Sequence, residues 1–187
     1  MNSLAVAGFA LAVRCFVVAS VAAPSPALPR PVPADSSVLI LADSLEVGAR
    51  LVVTGHVFAA DGKRLLAGIR IGVYHTDAKG EYGVKPGAGS FPPRRDARLS
   101  GWLVTDSAGR YEVRTIRPGA YPGGGTPEHI HFIVDGHLFE LRFADDPRVT
   151  TQERERSRAA GTFGGVRPVL RDARGVLRVV EDFRTLR

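Results

Sequence analysis

Gly101-Trp-Leu-Val-Thr-Asp-Ser-Ala-Gly-Arg-Tyr-Glu-Val-Arg-Thr-Ile-Arg-Pro-Gly-Ala-Tyr-Pro122 reads as two strands around a tight turn, with a second turn at its end. Asp106 to Gly109 supplies the turn chemistry: a carboxylate that can bond its own backbone and a glycine free to take positive φ. Residues 101–105 and 110–116 flank it with β-branched and aromatic side chains. The same grammar repeats on both sides. Further strands are expected at 50–58, 68–75, 129–135, 137–143 and 176–184, with turns at Asp61-Gly62, Asp77 to Gly80 and Asp135-Gly136. Val38 to Leu41 either docks against the domain or begins its first strand. Between 50 and 145 no stretch has helical periodicity, and 150–160 (TTQERERSRAA) predicts one short helix. The fold class is therefore all-β, a β-sandwich with at most one short helix.

Composition narrows the function classes. Hydrophobic content of 44% with 24% charged residues is globular rather than disordered. A formal charge of +6 and a pI near 10.1 invite a nucleic-acid reading. The arginines, however, are spread over the whole domain, lysine occurs only at 63, 79 and 85, and no basic stripe alternates with aromatics. Nucleic acid is not expected as a partner; attraction for anionic small molecules is.

Residues 3–13 (SLAVAGFALAV) and 15–23 (CFVVASVAA) are apolar runs split by Arg14. Ser20 and Ala22 are small residues suited to signal-peptidase cleavage after Ala22, so 1–22 is expected to be a signal peptide and the protein exported. Neither run is long enough to span a bilayer alone, so no stable membrane insertion is expected after signal removal. Cys15 is the chain's single cysteine, and a chain without 1–22 has no thiol chemistry. Pro24, Pro26, Pro29, Pro31 and Pro33 mark 23–49 as a linker before a domain at 50–187.

Four side chains carry potential chemistry: Tyr82, Tyr121, His129 and His131. On a strand, His129-Ile-His131 sends both imidazoles to one face. Tyr121 lies in the turn Arg117-Pro-Gly-Ala-Tyr-Pro122. A phenol keeps its proton at neutral pH unless a bound trivalent cation displaces it. Two tyrosinates and two neutral imidazoles can hold ferric iron and leave room for a substrate. Taken alone, His-x-His is more often a polar-face pair than a ligand pair, and Tyr82 reads equally well as a turn-flanking aromatic. Tyr111 reads as a core or cross-strand aromatic and Trp102 as a core or interface aromatic, while His56, His75 and His137 read as structural or surface residues.

The order of motifs is more specific than any one of them. Thr105-Asp-Ser-Ala-Gly-Arg-Tyr111, Arg114-Thr-Ile-Arg-Pro-Gly-Ala-Tyr-Pro122 and His129-Ile-His-Phe132 together resemble the intradiol ring-cleavage dioxygenases, of the small single-domain, protocatechuate 3,4-dioxygenase-like type. Ile71 to Tyr82 (IGVYHTDAKGEY) resembles the family strand ending in Gly-x-Tyr, and the likeness extends over about 50–185. It implies a mixed β-sandwich with long active-site loops around a mononuclear non-haem Fe(III) cofactor. By motif, Tyr82, Tyr121, His129 and His131 match the metal ligands. Tyr82 is the tyrosine retained when substrate binds, and Tyr121 is the one displaced, catalytic in taking a proton from the catechol. The implied reaction joins a small-molecule catecholic substrate with O2, inserts oxygen between the two hydroxylated carbons and yields a cis,cis-muconate-type diacid. The family also favours homo-oligomers.

One departure bears on turnover. Well-studied members carry an arginine shortly before the first histidine ligand, whereas here Tyr121-Pro-Gly-Gly-Gly-Thr-Pro-Glu-His129 has three glycines and Glu128. Arg94, Arg95 and Arg98 in the 83–100 loop are the basic residues that could reach in, and at Gly72 and Val73 an acidic residue common in the family is missing. Two rival readings follow: a catalytically weak module binding iron and catechols or aromatic polymers, and an unrelated sandwich in which the tyrosines lie far from the histidines.

Overall fold

A computed structural model describes residues 36–83 and 97–186. The expected signal peptide, the proline-bearing residues 23–35 of the linker, and Arg94 and Arg95 lie outside them. One sheet takes β1 (Val38–Ile40), β2 (Arg50–Phe58), β5 (Arg110–Ile116), β9 (Leu170–Arg171) and β10 (Leu177–Val180) in the order β1-β5-β2-β10-β9, with β11 (Phe183–Arg184) also on β2. The second takes β3 (Arg70–His75), β4 (Leu99–Val104), β6 (His129–Val134), β7 (His137–Phe143) and β8 (Val166–Arg167) in the order β4-β3-β6-β7-β8. Both sheets are mixed: β1 on β5, β10 and β11 on β2, and β8 on β7 run parallel, and the other pairs antiparallel. Among the described residues there is one α-helix, α1 (Thr151–Ala160), which opens with a capping box between Thr150 and Glu153. This is the mixed β-sandwich the sequence led us to expect.

The 38–41 stretch begins a strand rather than merely docking, so pairing starts inside the segment that composition marked as linker. Residues 176–184 form two strands, because Glu181 and Asp182 interrupt the ladder. Asp182 Oδ1 accepts the His56 N–H at 2.8 Å, and Tyr111 donates to the Glu181 carbonyl at 2.7 Å. Gly55 makes that crossing feasible, since a Cβ there would sit 1.7 Å from the Glu181 carbonyl oxygen. β8 and β9 were not expected; two residues are too short for a period to be read.

Alternation builds the core. Leu51, Val53 and Val57 of β2, Tyr111 and Val113 of β5, and Leu177 and Val179 of β10 face Ile71, Val73, Ile130, Phe132, Val134, Leu141 and Phe143 of the second sheet. Phe183 closes the layer with its ring 4.9 Å from Phe132 and 5.7 Å from Tyr111. Each fully buried phenylalanine contributes about 1.5–3 kcal/mol relative to exposure. Trp102 points away from this core. It lies opposite Gly72 in the ladder, and its indole lies across that glycine, with the Arg70 guanidinium 4.1 Å from the ring centroid.

His75 ties the layers together. Its Nδ1 donates to the Thr76 carbonyl at 2.6 Å, which leaves Nε2 to accept from Thr115 Oγ1 at 2.7 Å. Burial pushes its pKa from 6.5 down to about 4. The folded state therefore keeps the neutral ring while the unfolded chain takes up a proton as pH falls through 6.5, so stability is lost from there down to about 4. Over that window the loss is about 3 kcal/mol. In urea unfolding, wild type should lose that much more than His75→Gln between pH 7 and 4; a pH-independent difference between the two would refute the assignment.

Candidate metal centre

β6 sends Ile130, Phe132 and Val134 into the core, so His129 and His131 emerge together on the outer face of their sheet. Both are nonetheless buried, with 7% and 4% exposure, because the tyrosine-bearing loops fold over them. Tyr74 pairs with His131 across the ladder and stacks on it, with centroids 4.4 Å apart and planes at 17°. That contact fixes the plane of the imidazole.

The two tyrosine loops are fastened to each other by backbone. Asp77 Oδ1 accepts the amides of Lys79 and Glu81 at 2.8 and 3.1 Å, shaping the turn that leads to Tyr82. From the other loop, the Gly119 amide donates to the Asp77 carbonyl at 2.8 Å, and Thr76 Oγ1 donates to the Gly119 carbonyl at 2.8 Å. Gly80, at φ +87°, comes so close to this second loop that a Cβ would lie 1.9 Å from the Ala120 carbonyl oxygen. Only glycine fits there.

These supports bring all four expected residues to one point. Tyr82 and Tyr121 share a short hydroxyl-hydroxyl hydrogen bond. Tyr121 Oη lies 3.0 Å from His129 Nε2 and 3.4 Å from His131 Nε2, and His131 Nε2 lies 3.1 Å from Tyr82 Oη. The two Nε2 atoms are 3.1 Å apart. His129 Nδ1 donates to the Pro127 carbonyl at 2.7 Å, so its Nε2 turns a lone pair into the cluster. Four electron-rich atoms converging this closely are relieved by one shared cation, and two phenol oxygens with two imidazole nitrogens are donors suited to ferric iron. The unrelated-sandwich reading, which needs the tyrosines far from the histidines, is inconsistent with these distances.

The carboxylates and arginines around the donors form pairs that the sequence did not reveal. Arg117 Nε donates to Glu128 at 2.6 Å and its Nη atoms to Asp145 at 2.7 and 2.9 Å, so the acid beside His129 is charge-compensated. Arg98 does not supply the missing cation; it donates to both carboxylate oxygens of Glu46, at 2.5 and 2.9 Å. Glu140, which the motif reading passed over, pairs with His131 across the β6–β7 ladder, with Oε1 3.7 Å from Nδ1. His129, His131 and Glu140 form a compact cluster of potential metal-binding groups. Glu140 follows from register alone: it stands on the histidine face once β6 and β7 are joined by the tight turn at Asp135-Gly136.

The chain matches the family model described as Dioxygenase over residues 24–153. It is 35% identical to the protocatechuate 3,4-dioxygenase beta chain of Burkholderia cepacia over 112 residues, covering 54% of this chain and 47% of that protein. It is 33% identical to catechol 1,2-dioxygenase of Acinetobacter baylyi over 124 residues, covering 54% and 38%. The chain thus spans less than half the length of either relative. Among solved structures, it superposes on 3-chlorocatechol 1,2-dioxygenase of Rhodococcus opacus 1CP with a TM-score of 0.62 at 19% identity, covering 84% of this chain and 67% of that one. The dioxygenase domain of a carbohydrate-binding fusion protein from Streptomyces sp. SirexAA-E gives 0.56 at 22% identity, covering 84% and 93%. These structural matches establish the fold.

Gly80→Ala should drive the two tyrosine loops apart while leaving the sandwich intact. Expected are an unchanged far-UV spectrum, a loss of about 1–3 kcal/mol in denaturant unfolding, and a wider Tyr82-to-Tyr121 separation in a crystal structure of the variant. An alanine accommodated with no shift would show that the close approach does not hold the loops.

Proposed function

The chain belongs to the intradiol dioxygenase family, and from that membership we propose that it is an oxidoreductase cleaving a catecholic ring between its two hydroxylated carbons. The reaction consumes one O2, incorporates both its atoms and gives a cis,cis-muconate-type diacid. Every carbon and hydrogen of the catechol is retained in that product. The observation that carries this reading is the convergence of Tyr82, Tyr121, His129 and His131 within hydrogen-bonding distances of one another. These four residues would hold a mononuclear non-haem Fe(III). When bound, that ion activates the chelated catecholate toward dioxygen.

The chain's own residues have unequal parts in this scheme. His129 is fixed in tautomer by the Pro127 carbonyl, and His131 in orientation by Tyr74. Tyr82 is anchored: its carbonyl accepts the Arg98 amide at 3.1 Å, and the Asp77 turn precedes it. Tyr121 leads into Gly123, Gly124 and Gly125, at φ +96°, +79° and +88°, where an added Cβ would meet nothing within 4 Å. A tyrosine beside so open a connection can swing out when both catechol oxygens bind, and its phenolate can take one catechol proton as it leaves. The family resemblance, to which this contrast lends support, makes Tyr82 the retained phenol and Tyr121 the displaced one.

Glu128 favours the second reading, binding without efficient turnover, because a family cation is replaced by an acid. Its pairing with Arg117 weighs against that reading, since the carboxylate does not confront the substrate uncompensated. Export of the protein is proposed on the apolar segment 3–23 alone; among the described residues no helix is long and apolar enough to cross a membrane.

Aerobic reconstitution with iron should give a coloured protein through tyrosinate-to-Fe(III) charge transfer. Tyr121→Phe should shift that band, and His131→Ala should abolish it. With confirmed iron occupancy, oxygen uptake and product identification on catechol, protocatechuate and hydroxyquinol should reveal ring-opened diacid from at least one. Colour without oxygen uptake on any of the three would transfer the assignment to the binding module. A colourless reconstituted protein would end the ferric reading.

A further inference from the structure

Resting on the ferric reading above, we propose that Glu140 is a positioning residue that sets the donor strength of His131. Its carboxylate stands 3.7 Å from His131 Nδ1, the ring nitrogen opposite the one that joins the donor cluster. Glu140 is therefore not a fifth ligand. Its negative charge stands beyond hydrogen-bonding distance of Nδ1 but favours the proton on that nitrogen, which leaves the Nε2 lone pair to the metal.

The carboxylate is itself held. Arg142 Nη2 donates to Glu140 Oε2 at 2.5 Å while Nη1 donates to Glu153 Oε1 at 2.5 Å. Glu153 in turn accepts the Thr150 amide at 2.7 Å and the Thr150 hydroxyl at 2.9 Å, closing the cap of α1. A chain of charge-assisted hydrogen bonds thus runs from the helix cap through Arg142 to Glu140, whose other oxygen faces His131. Register builds the inner part of it, because β7 places Glu140 opposite His131 and Arg142 opposite His129. His129 has a different support, the neutral Pro127 carbonyl. The two imidazoles are consequently unequal: His131 faces a carboxylate partly compensated by Arg142, and His129 a neutral carbonyl dipole. A carboxylate behind an imidazole strengthens it as a donor and favours the more highly charged ion, Fe(III) over Fe(II).

The test uses the full iron-loaded chain with Glu140→Gln, Glu140→Leu and Glu140→Asp, and with Glu112→Gln, on the opposite sheet, as a charge control. Readouts are ferric affinity by chelator competition, the visible charge-transfer maximum and the Fe(III)/Fe(II) midpoint potential. Glu140→Leu should weaken iron binding about 10- to 100-fold. Glu140→Gln, which keeps an acceptor but no charge, should shift the visible band and raise the midpoint potential, and should carry the test if the leucine variant does not fold. Glu140→Asp should restore affinity toward wild type, and Glu112→Gln should change nothing. Wild-type affinity, band and potential in Glu140→Gln would overturn the proposal while leaving the ferric reading intact. A wild-type protein that takes up no iron would overturn both.

Discussion

The two-residue period of one strand governs both the core and the site. In β6 the even-numbered residues Ile130, Phe132 and Val134 are fully buried in the sandwich, so the odd-numbered His129 and His131 are committed to the outer face. A one-residue slip would put imidazoles in the core and Phe132 outside, at a cost in lost burial that no site interaction could offset. Ladders with β3 and β7 pin the register from both sides. The histidine pair is therefore as rigid as the core itself. The phenols, by contrast, come from loops whose closeness depends on backbone contacts at Asp77, Gly80 and Gly119. A strand-borne imidazole half thus meets a phenol half held by loop contacts.

Most of the fold was legible because it is written locally. Long strands with Asp-Gly turns announce themselves, and β2, β5 and β7 have the bounds their alternation predicts. The helix was legible for the same reason, with Thr150 and Glu153 forming its capping box. What escaped depends on tertiary pairing. β8 and β9 exist only because β7 and β10 offer them partners. Trp102 could not be placed from its own residue type; its outward orientation follows from the bare Gly72 opposite it. At the site, the tyrosines and histidines were visible through their motifs, but the pairing of Arg117 with Glu128 joins side chains from different loops and has no signature along the chain.

The electrostatics near the donors also revise what composition suggests. A formal charge of +6 implies spare cations, yet the described arginines closest to the site are committed to carboxylates. Arg117 serves Glu128 and Asp145, Arg142 serves Glu140 and Glu153, and Arg98 serves Glu46. Arg117 and Arg142 are four-fifths and about three-quarters buried at their side chains, so these pairs are screened less than surface ones. Among the described residues, these arginines are therefore not spare positive charge beside the phenols.

These pairs hold two more carboxylates than arginines, so compensating positive charge at the donors would have to come from the proposed metal. With Fe(III), two tyrosinates and two neutral imidazoles, the donor set carries a net single positive charge. Replacing one tyrosinate by a doubly deprotonated catecholate would make it neutral, with one catechol proton carried off on the departing Tyr121 phenol and the other released to solvent. On the proposed function, charge balance would thus be met within the donor set itself. Glu140, shared with Arg142, adds little net charge but considerable direction, because of the two imidazoles it faces only that of His131. On this view the loss of one cation and the presence of one carboxylate behind an imidazole act on different steps. The first alters how strongly the anionic substrate is held, and the second how firmly the iron stays ferric.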